Sequence, residues 1–292
     1  MKKILLHSAL LIAALSTASA ADKLNVASFS TILTEIAEKV GADHVHVFGL
    51  VRPGVDPHEY EPTPDDLQKV SDAQLILTTG KNLENYLNKL QEASGGKADL
   101  LKVGDHLPSL TIKGGEGEST SLDPHWWNSV RNVEEATKIV RNELTKLHPA
   151  DKGAFEENAQ HYLTQLDDLD HWVKRKVAEL PRDRRKLVTS HDAFQYFARD
   201  YGFTIFAIEG VSTETEPSNR HVADLIDQIK KQHVKAIFTE STLNPKVTQE
   251  ITRETGAKIG GELYADGLGT GAASTYAGMV KHNVTTIVDA LK

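Results

Sequence analysis

The 292-residue sequence contains no cysteine, only two methionines and few aromatic residues. Without cysteine the chain has no disulfide bond, no thiolate metal ligand and no cysteine nucleophile. A chain of this length buries enough apolar surface to fold without disulfide bonds, so their absence does not argue against export. A lipid anchor would need a cysteine at the cleavage point, and we therefore expect a protein with no membrane anchor.

The first twenty residues have the order of a secretory signal. Met1-Lys2-Lys3 is positively charged, Ile4–Leu15 is largely apolar, and Ala18-Ser19-Ala20 is a small-residue cleavage site. The apolar run is too short to span a membrane. We expect cleavage after Ala20 and a mature chain, residues 21–292, that is free in the periplasm of a Gram-negative cell.

Acidic residues outnumber basic residues, which gives the chain a formal net charge of −8 at pH 7. Loss of Lys2 and Lys3 with the signal would make the charge −10. An acidic chain is a poor partner for nucleic acid or for an anionic membrane surface, so we expect neither. Because the charge is spread along the chain, it indicates solubility rather than a specific cation site.

Short apolar runs alternate with amphipathic stretches in two successive series. In the first series, strands are predicted at Leu24–Phe29, Val45–Val51, Ala73–Thr79 and Leu100–Val103, and helices at Ile32–Val40, Pro64–Ser71 (capped by Thr63) and Leu83–Glu92. In the second series, strands are predicted at Lys186–Thr189, Phe203–Ile208, Ala236–Thr239 and Lys258–Leu263, and helices at Ala193–Tyr201, His221–Gln232, Lys246–Thr255 and Tyr276–Leu291. This alternation predicts the α/β class, with parallel sheets flanked by helices.

A long helical stretch separates the two series. Apolar residues recur every three or four positions from Phe155 to Val177, which predicts one helix of about 30 residues and about 45 Å. The predicted architecture is therefore two similar lobes joined by one long rigid helix. The boundaries are a signal at 1–20, a first metal-binding lobe at 21–148, the connecting helix at 149–181 and a second metal-binding lobe at 182–292.

Four candidate metal ligands follow predicted strands or precede a predicted helix. His58 lies in a loop after a strand, His125 ends a polar loop, His191 follows Val188-Thr189-Ser190, and Asp266 follows a short strand. In doubly wound sheets, ligands bind outside the carboxyl ends of the strands, so two groups from each half can face one cleft. Most of the other histidines are interpreted as solvated or capping residues.

The types of these four residues favour a zinc site. His58 and His125 each end an Asp-Pro-His triplet, and the proline restricts the backbone that presents the imidazole. Three imidazoles and one carboxylate suit tetrahedral Zn²⁺, whereas Mn²⁺ prefers more oxygen ligands. Mn²⁺ is the alternative metal ion, because Asp266 could bind through both oxygens and so supply one more oxygen ligand. Four protein ligands would close the coordination shell, which favours capture over hydrolysis, and we expect no enzyme activity.

Two further carboxylates are candidates near the predicted site. Glu240 follows another strand and is expected to accept a hydrogen bond that orients a ligating imidazole. Alternatively, Glu240 is an exposed carboxylate that caps a neighbouring residue. Glu59, which is adjacent to His58, is the second carboxylate candidate.

At this point the residues match a known family. The chain resembles the periplasmic solute-binding proteins of zinc and manganese ABC importers (metal-binding, cluster A-I type), over essentially the whole mature chain. The segments that carry the resemblance are Pro57–Pro62 (PHEYEP), Asp123–Trp127 (DPHWW), Thr189–Phe194 (TSHDAF), Glu216–Ser218 (EPS), Thr239–Ser241 (TES) and Ala265–Leu268 (ADGL).

The resemblance implies that His58 and His125 bind a metal ion from the first lobe, and His191 and Asp266 from the second. It also implies delivery of the ion to the membrane permease of an ABC importer. Histidine at position 191 resembles the zinc branch, because manganese-type members more often have glutamate there. Many zinc-type members have a histidine-rich loop before the second ligand, but Pro108–Leu122 here has no histidine, which leaves a docking role for a periplasmic metallochaperone open.

Two other classes of function compete with metal capture by a monomeric carrier. One is a zinc hydrolase in which Asp266 or Glu240 is the general base, although the chain has no H-E-x-x-H or G-x-S-x-G motif. The other is a module that binds a host or cell-surface partner and uses the metal only structurally. For release of the ion, we expect movement around Asp266-Gly267 and Gly269, where glycine permits mobility.

Overall fold

A computed structural model describes residues 23–93, 95–112, 120–214, 217–240 and 246–292. The predicted signal at residues 1–20 lies outside these ranges. So do Glu216 and Ser241 of the segments that carry the resemblance, and residues 113–119 of the histidine-free loop.

The first lobe is built on a parallel sheet. Its strands are β1 (Leu24–Ser28), β2 (Val45–Gly49), β3 (Leu75–Thr78) and β4 (Asp99–Lys102), in the order β2-β1-β3-β4. Its helices are α1 (Thr31–Gly41), α2 (Pro64–Asp72), α3 (Leu87–Ala93) and α4 (Val130–Leu147). Between β4 and α4, the two-residue strands β5 (Thr111–Ile112) and β6 (Ser121–Leu122) pair in antiparallel fashion.

The second lobe repeats the same topology. Its parallel strands are β7 (Lys186–Thr189), β8 (Thr204–Ala207), β9 (Ala236–Glu240) and β10 (Lys258–Leu263), in the order β8-β7-β9-β10. Its helices are α6 (Gln195–Tyr201), α7 (Asn219–Lys231), α8 (Lys246–Thr255) and α9 (Tyr276–Leu291). In each sheet the second strand lies outside the first, so the strand order reverses between the first and third strands. Ligands of such sheets bind at this switch point.

Local sequence signals explain where several helices begin. The hydroxyl of Ser30 accepts from the backbone N–H of Leu33 at the start of α1. Thr63 and Asp66 form a reciprocal capping box at α2, with Pro64 in the first turn. Such caps satisfy N–H groups that have no partner inside the helix.

The connecting helix α5 (Lys152–Val177) contains 26 residues and is about 39 Å long. It is shorter than the sequence predicts, because Pro149–Asp151 forms a separate 3₁₀ turn before it and Pro181 follows its end. The fold class is confirmed: two α/β lobes with parallel sheets are linked by a long helix. The exact domain boundaries remain a prediction.

One apolar core runs through both lobes and the connecting helix. Phe155, Tyr162 and Leu166 of α5 belong to the same buried cluster as Leu33 of α1 and Tyr276 of α9. The opposite face of each sheet has its own smaller cluster, around Ile76 in one lobe and Ile237 in the other. Because the lobes share core side chains with α5, a large hinge motion would expose apolar surface.

The polar loop before His125 contains a short sheet that the sequence does not predict. The antiparallel pair β5 and β6 lies within it, and strands of two residues are too short for an alternating pattern to be visible in the sequence. Within the described ranges, no helix is both long enough and apolar enough to cross a membrane.

Candidate metal centre

The structure brings four sequence-predicted ligands together between the lobes. One ligand atom each from His58, His125, His191 and Asp266 lies within 4.8 Å of all the others. The side chains of His125 and His191 are fully buried, that of Asp266 is 1% exposed and that of His58 is 5% exposed. The four side chains are therefore almost completely shielded from solvent, and that of His58 is the most exposed of them.

The Asp-Pro-His triplet that ends in His125 fixes both the backbone and the ring of this histidine. Oδ1 of Asp123 accepts a hydrogen bond from the backbone N–H of His125 (2.9 Å) and lies 2.9 Å from its ring Nδ1. With Nδ1 engaged, Nε2 of His125 points into the centre. The Asp123 carboxylate, which sequence reasoning did not assign to the site, thus orients a candidate ligand.

The triplet that ends in His58 forms a similar turn but leaves the ring free on one side. Oδ1 of Asp56 accepts from the backbone N–H of His58 at 2.8 Å. Among the residues that the structure describes, no protein group is hydrogen-bonded to Nδ1 of His58. The repeated spacing of Asp two residues before His was the sequence signal that could have identified both turns.

His191 lies immediately beyond the carboxyl end of β7, at the switch point of the second sheet. Glu240, the last residue of the neighbouring strand β9, accepts from the backbone N–H of His191 at 3.2 Å. The other carboxylate oxygen of Glu240 is hydrogen-bonded to Nδ1 of the same imidazole. Glu240 therefore lies where the sequence analysis expects an orienting carboxylate, on the side of the ring away from the centre.

Asp266 reaches the centre from the loop after β10. Both of its carboxylate oxygens are buried, and neither has a hydrogen-bond partner. A buried carboxylate without hydrogen bonds is costly unless a cation compensates it. Oδ1 of Asp266 faces three imidazole nitrogens at 3.2 to 3.7 Å, so the carboxylate fits a cation held among them, which in the metal-free protein is the protonated ring of His191.

The distances between ligand atoms fit a small divalent ion. Nε2 of His125 lies 3.1 Å from Nε2 of His58 and 3.2 Å from Nε2 of His191. Oδ1 of Asp266 lies 3.2 to 3.7 Å from the same three nitrogens. A tetrahedral zinc ion with bonds of about 2.0–2.1 Å requires ligand atoms about 3.3–3.4 Å apart.

The protonation states of the ligands differ because their neighbours differ. Burial lowers the pKa of His125, although Asp123 acts in the opposite direction. Burial also acts to lower the pKa of His191, but Asp266 and Glu240 outweigh it and hold this pKa well above its ordinary value. Burial acts to raise the pKa of Asp266, yet His191 and His58 bring it well below its usual range. In the metal-free protein, His191 thus holds a proton that an incoming metal ion must displace.

Glu59 is not part of the centre. Its side chain is exposed, and it does not belong to the cluster of four. Glu59 is exposed because successive side chains of this turn point in different directions: the ring of His58 points into the centre, and the side chain of Glu59 points to solvent. Histidines outside the cluster include His44 and His148, whose Nδ1 atoms lie 3.0 and 2.6 Å from Asp151 near the start of α5.

The glycines after Asp266 serve close packing. A Cβ at Gly267 would lie 2.7 Å from the hydroxyl of Thr31 in the first lobe, and one at Gly269 would lie 2.4 Å from the ring of Tyr264. The hydroxyl of Thr31 also accepts from the backbone N–H of Leu268 at 2.8 Å. The expectation of a mobile loop at these glycines therefore does not agree with the structure, which ties this loop to the first lobe.

The chain is similar to proteins that bind zinc or manganese. The family model described as ZnuA, zinc-uptake complex component A, periplasmic, matches residues 26–290. The manganese-binding lipoprotein MntA of Bacillus subtilis is 34% identical over 284 residues, covering 94% of this chain and 92% of MntA. The zinc-binding protein TroA of Treponema pallidum is 37% identical over 270 residues, covering 89% and 86%. A solved structure of TroA matches with a TM-score of 0.86 at 35% identity, covering 92% of this chain and 99% of that one.

These relatives correct the expected localisation. The prediction of a protein without a lipid anchor rests on the absence of cysteine, but the relative that matches 94% of this chain is a lipoprotein. Proteins named as lipoproteins therefore match this chain over nearly its whole length, and the prediction of an unanchored location is wrong. The physical reason is that a lipid anchor is attached outside the packed lobes, so the fold itself gives no sign of it.

Proposed function

The chain belongs to the ZnuA family of periplasmic zinc-uptake components, and from that premise we propose that it captures Zn²⁺ between its lobes for import. It is a metal-binding substrate-binding protein of the ABC transporter type, and members of its family work with the permeases of ABC importers. The proposed ligands are Nε2 of His58, His125 and His191 and a carboxylate oxygen of Asp266. The ion is cargo, so it must bind tightly and yet leave at the permease.

The buried carboxylate of Asp266 is the observation that carries this proposal. Its oxygens have no hydrogen-bond partner, and three imidazole nitrogens surround one of them at 3.2 to 3.7 Å. Hydrogen bonds to Asp123 and Glu240 direct two of the imidazoles and raise their basicity toward a metal. Three nitrogens and one oxygen at these separations suit tetrahedral Zn²⁺.

Mn²⁺ is the second candidate cargo, and one feature of the site favours it. Both oxygens of Asp266 lack hydrogen bonds, so this carboxylate can bind through both and raise the coordination number to five. Manganese prefers more oxygen ligands and lies at the weak end of the divalent series. The relatives include a manganese-binding protein, which agrees with a site that accepts either ion.

We further propose that the chain is a carrier and not an enzyme. Four protein ligands complete a tetrahedral shell, whereas a catalytic zinc ion keeps one position for water or substrate. Glu240, a candidate general base by sequence, is already hydrogen-bonded to His191 on the side away from the centre. The relatives named above are likewise metal-binding proteins.

A single chain is proposed to hold the ion, because all four ligands come from one chain. The permease of an ABC importer is the proposed recipient. A periplasmic metallochaperone is the proposed candidate donor, with a docking role for the histidine-free segment Pro108–Leu122 as the accompanying hypothesis. Faster loading of the demetallated protein by the zinc-bound donor than by free Zn²⁺ would indicate delivery by a chaperone and not direct capture of the free ion.

The test is a chelator-competition titration of the demetallated protein with Zn²⁺ and with Mn²⁺, with stoichiometry measured by native mass spectrometry. We expect one zinc ion per chain and weaker binding of manganese. His191→Ala should weaken zinc binding by at least about 100-fold, the upper end of what the loss of an orienting partner costs. His282→Ala is the matched control, because this exposed histidine lies on α9 against the carbonyl of Glu262.

Two results would overturn parts of this proposal. Stoichiometric, tight zinc binding by His191→Ala would show that the four residues are not the ligands. Equal or tighter binding of manganese would show that Asp266 makes a more oxygen-rich site, and the cargo would then be set by metal supply.

A further inference from the structure

The His58 loop, residues 52–60, is held in place less firmly than the segments that carry the other proposed ligands. His125 and His191 each have a carboxylate on Nδ1, but Nδ1 of His58 has no protein partner among the described residues. Arg52 to Val55 are exposed, and a Cβ at Gly54 would have no neighbour within 4 Å. The most exposed of the four ligands thus also lies beside a run of exposed residues.

Three buried hydrogen bonds from Trp127 and Asn128 cross between the lobes beside the other three proposed ligands. Trp127 donates its indole N–H to the carbonyl of Ala265 at 2.8 Å, beside Asp266. Asn128 donates to the carbonyls of Ala193 and Ala265 at 3.0 and 3.1 Å. These buried bonds connect the segments of His125, His191 and Asp266, so the three ligands form one unit.

The His58 loop is joined to the second lobe by a different contact. Oδ2 of Asp56 accepts a hydrogen bond from the hydroxyl of Thr213, in the loop after β8, at 2.8 Å. Its other oxygen, Oδ1, accepts from the backbone N–H of His58 at 2.8 Å. Within the described residues, this is the one hydrogen bond between the His58 loop and the second lobe outside the ligands themselves.

We propose that Asp56 and Thr213 form an interlobe clasp, in which Thr213 positions His58 through the Asp56 carboxylate and so sets how long the metal ion stays bound. The clasp rests on the proposed function, since it acts on the bound cargo. Breaking it frees the His58 loop to swing outward, while His125, His191 and Asp266 keep their mutual geometry. Release of the ion then begins by loss of the His58 ligand.

The position of the clasp makes it accessible to a partner. Thr213 is partly exposed and Glu214 beside it is exposed, while Val55 of the His58 loop is 41% exposed. A protein that contacts this rim could compete for the Asp56 carboxylate without entering the buried centre. The intact clasp therefore keeps the metal ion tightly bound in the free carrier, and a partner that breaks the clasp makes release rapid.

The experiment replaces Thr213 by valine, which has nearly the same shape and no hydroxyl group. The zinc-loaded protein is mixed with an excess of chelator, and the dissociation rate of Zn²⁺ is followed by stopped flow. Because the lost bond involves a charged carboxylate, we expect Thr213→Val to speed dissociation about tenfold, with little change in the association rate. Thr213→Ser keeps the hydroxyl and should stay within about twofold of the wild type.

A matched control separates the clasp from a general effect of the substitution. Thr204→Val places the same change at an exposed position at the amino end of β8, and it should leave both rates unchanged. Urea unfolding of the metal-free proteins should give the same stability for Thr213→Val and the wild type. A faster rate in Thr213→Ser as well, or an unchanged rate in Thr213→Val, would overturn the clasp alone. A wild-type chain that binds neither zinc nor manganese would overturn the proposed function and the clasp with it.

Discussion

At the scale of single residues, the metal centre depends on what lies behind each imidazole. Asp123 and Glu240 occupy Nδ1 of His125 and His191, which leaves Nε2 of each ring for the ion. The two carboxylates nevertheless have different consequences. His125 has a lowered pKa, whereas His191 lies between Glu240 and Asp266 and has a raised pKa. One ring is therefore ready to ligate at neutral pH, and the other must first lose a proton.

This difference predicts proton release on metal binding. The pKa of His191 in the metal-free protein is above its ordinary value, so the ring keeps its proton to higher pH, and zinc affinity should increase as pH rises. At pH 7 we expect about one proton released per zinc ion. Calorimetric titrations in two buffers of different ionisation enthalpy measure this number, and a value of zero would contradict the prediction.

Two carboxamide variants provide an internal comparison. Glu240→Gln should weaken zinc binding by about 10–100-fold and reduce the proton release, because it removes one of the charges that hold the proton on His191. Asp123→Asn should weaken binding to a similar extent but leave the proton release unchanged, because His125 is already neutral. If Glu240→Gln and Asp123→Asn change the proton release equally, the released proton does not come from His191.

At the scale of elements, the loops after the strands are fixed by side chains that satisfy backbone groups. After β3, the chain passes through Gly80, Lys81 and Asn82, all with positive φ. The buried carboxylate of Glu84 accepts from the backbone N–H groups of Thr79 and Gly80, at 2.6 and 3.1 Å. A Cβ at Gly80 would lie 2.7 Å from Asp105, so glycine is required there for close approach as well as for its backbone conformation.

The Glu84 carboxyl predicts a pH dependence of stability. Burial raises its pKa from 4.5 to about 7. Between these values the unfolded chain loses the proton while the folded chain keeps it, so the contribution of Glu84 to the free energy of unfolding falls as pH rises from 4.5 to about 7 and is constant above. Glu84→Gln should reduce this fall by about 3 kcal/mol.

Urea denaturation of the metal-free proteins at several pH values between 4.5 and 8 tests the prediction. Glu92→Gln, an exposed position on α3, is the control and should follow the wild-type profile. If the Glu84→Gln and wild-type curves run parallel across the whole range, Glu84 is not the titrating group.

At the scale of the whole molecule, the lobes are joined by a shared apolar core and by buried polar bonds. The carboxylate of Glu35 on α1 accepts from the hydroxyl of Tyr162 on α5 at 3.0 Å and from the backbone N–H of Tyr276 on α9 at 2.7 Å. The hydroxyl of Tyr276 in turn donates to the carbonyl of Trp127 at 2.8 Å. Both lobes and the connecting helix thus meet beside the centre, which favours release by local movement of a loop over separation of the lobes.

The interlobe bonds of Asn128 predict a coupling between stability and metal binding. Asn128→Ala leaves two buried carbonyl groups without this donor and should lower the free energy of unfolding by about 1–3 kcal/mol. Because those carbonyls flank the His191 and Asp266 segments, zinc affinity should fall as well. Asn158→Ala, which removes one bond from α5 to the carbonyl of Val40, should lower stability without weakening zinc binding. Zinc titration and urea denaturation of both variants test this prediction. If Asn128→Ala and Asn158→Ala bind zinc with equal affinity, the interlobe bonds of Asn128 do not couple stability to metal binding.

Much of the fold could be predicted because it depends on local periodicity and on strong helix and loop signals. The alternation of β and α segments is as predicted, and the helices α8 and α9 and the strands β7 and β10 have the bounds that the sequence predicts. The pair β5 and β6 was missed because two-residue strands have no period. The connecting helix was predicted too long, because the 3₁₀ turn at Pro149–Asp151 and the turn before Pro181 were counted with it although neither belongs to α5.

The sequence by itself determined which residues could serve as ligands, since His58, His125, His191 and Asp266 all occupy positions where loops of an α/β fold meet. The choice among neighbouring carboxylates was decided only by the tertiary structure. Glu59 is adjacent to a ligand in the chain but exposed, whereas Asp123 and Glu240 lie behind imidazoles. The clasp between Asp56 and Thr213 was also beyond the sequence, because its two residues are 157 positions apart. The physical reason is that residue type sets the chemistry that is available, while packing of two lobes against one helix sets which groups come within a hydrogen bond of each other.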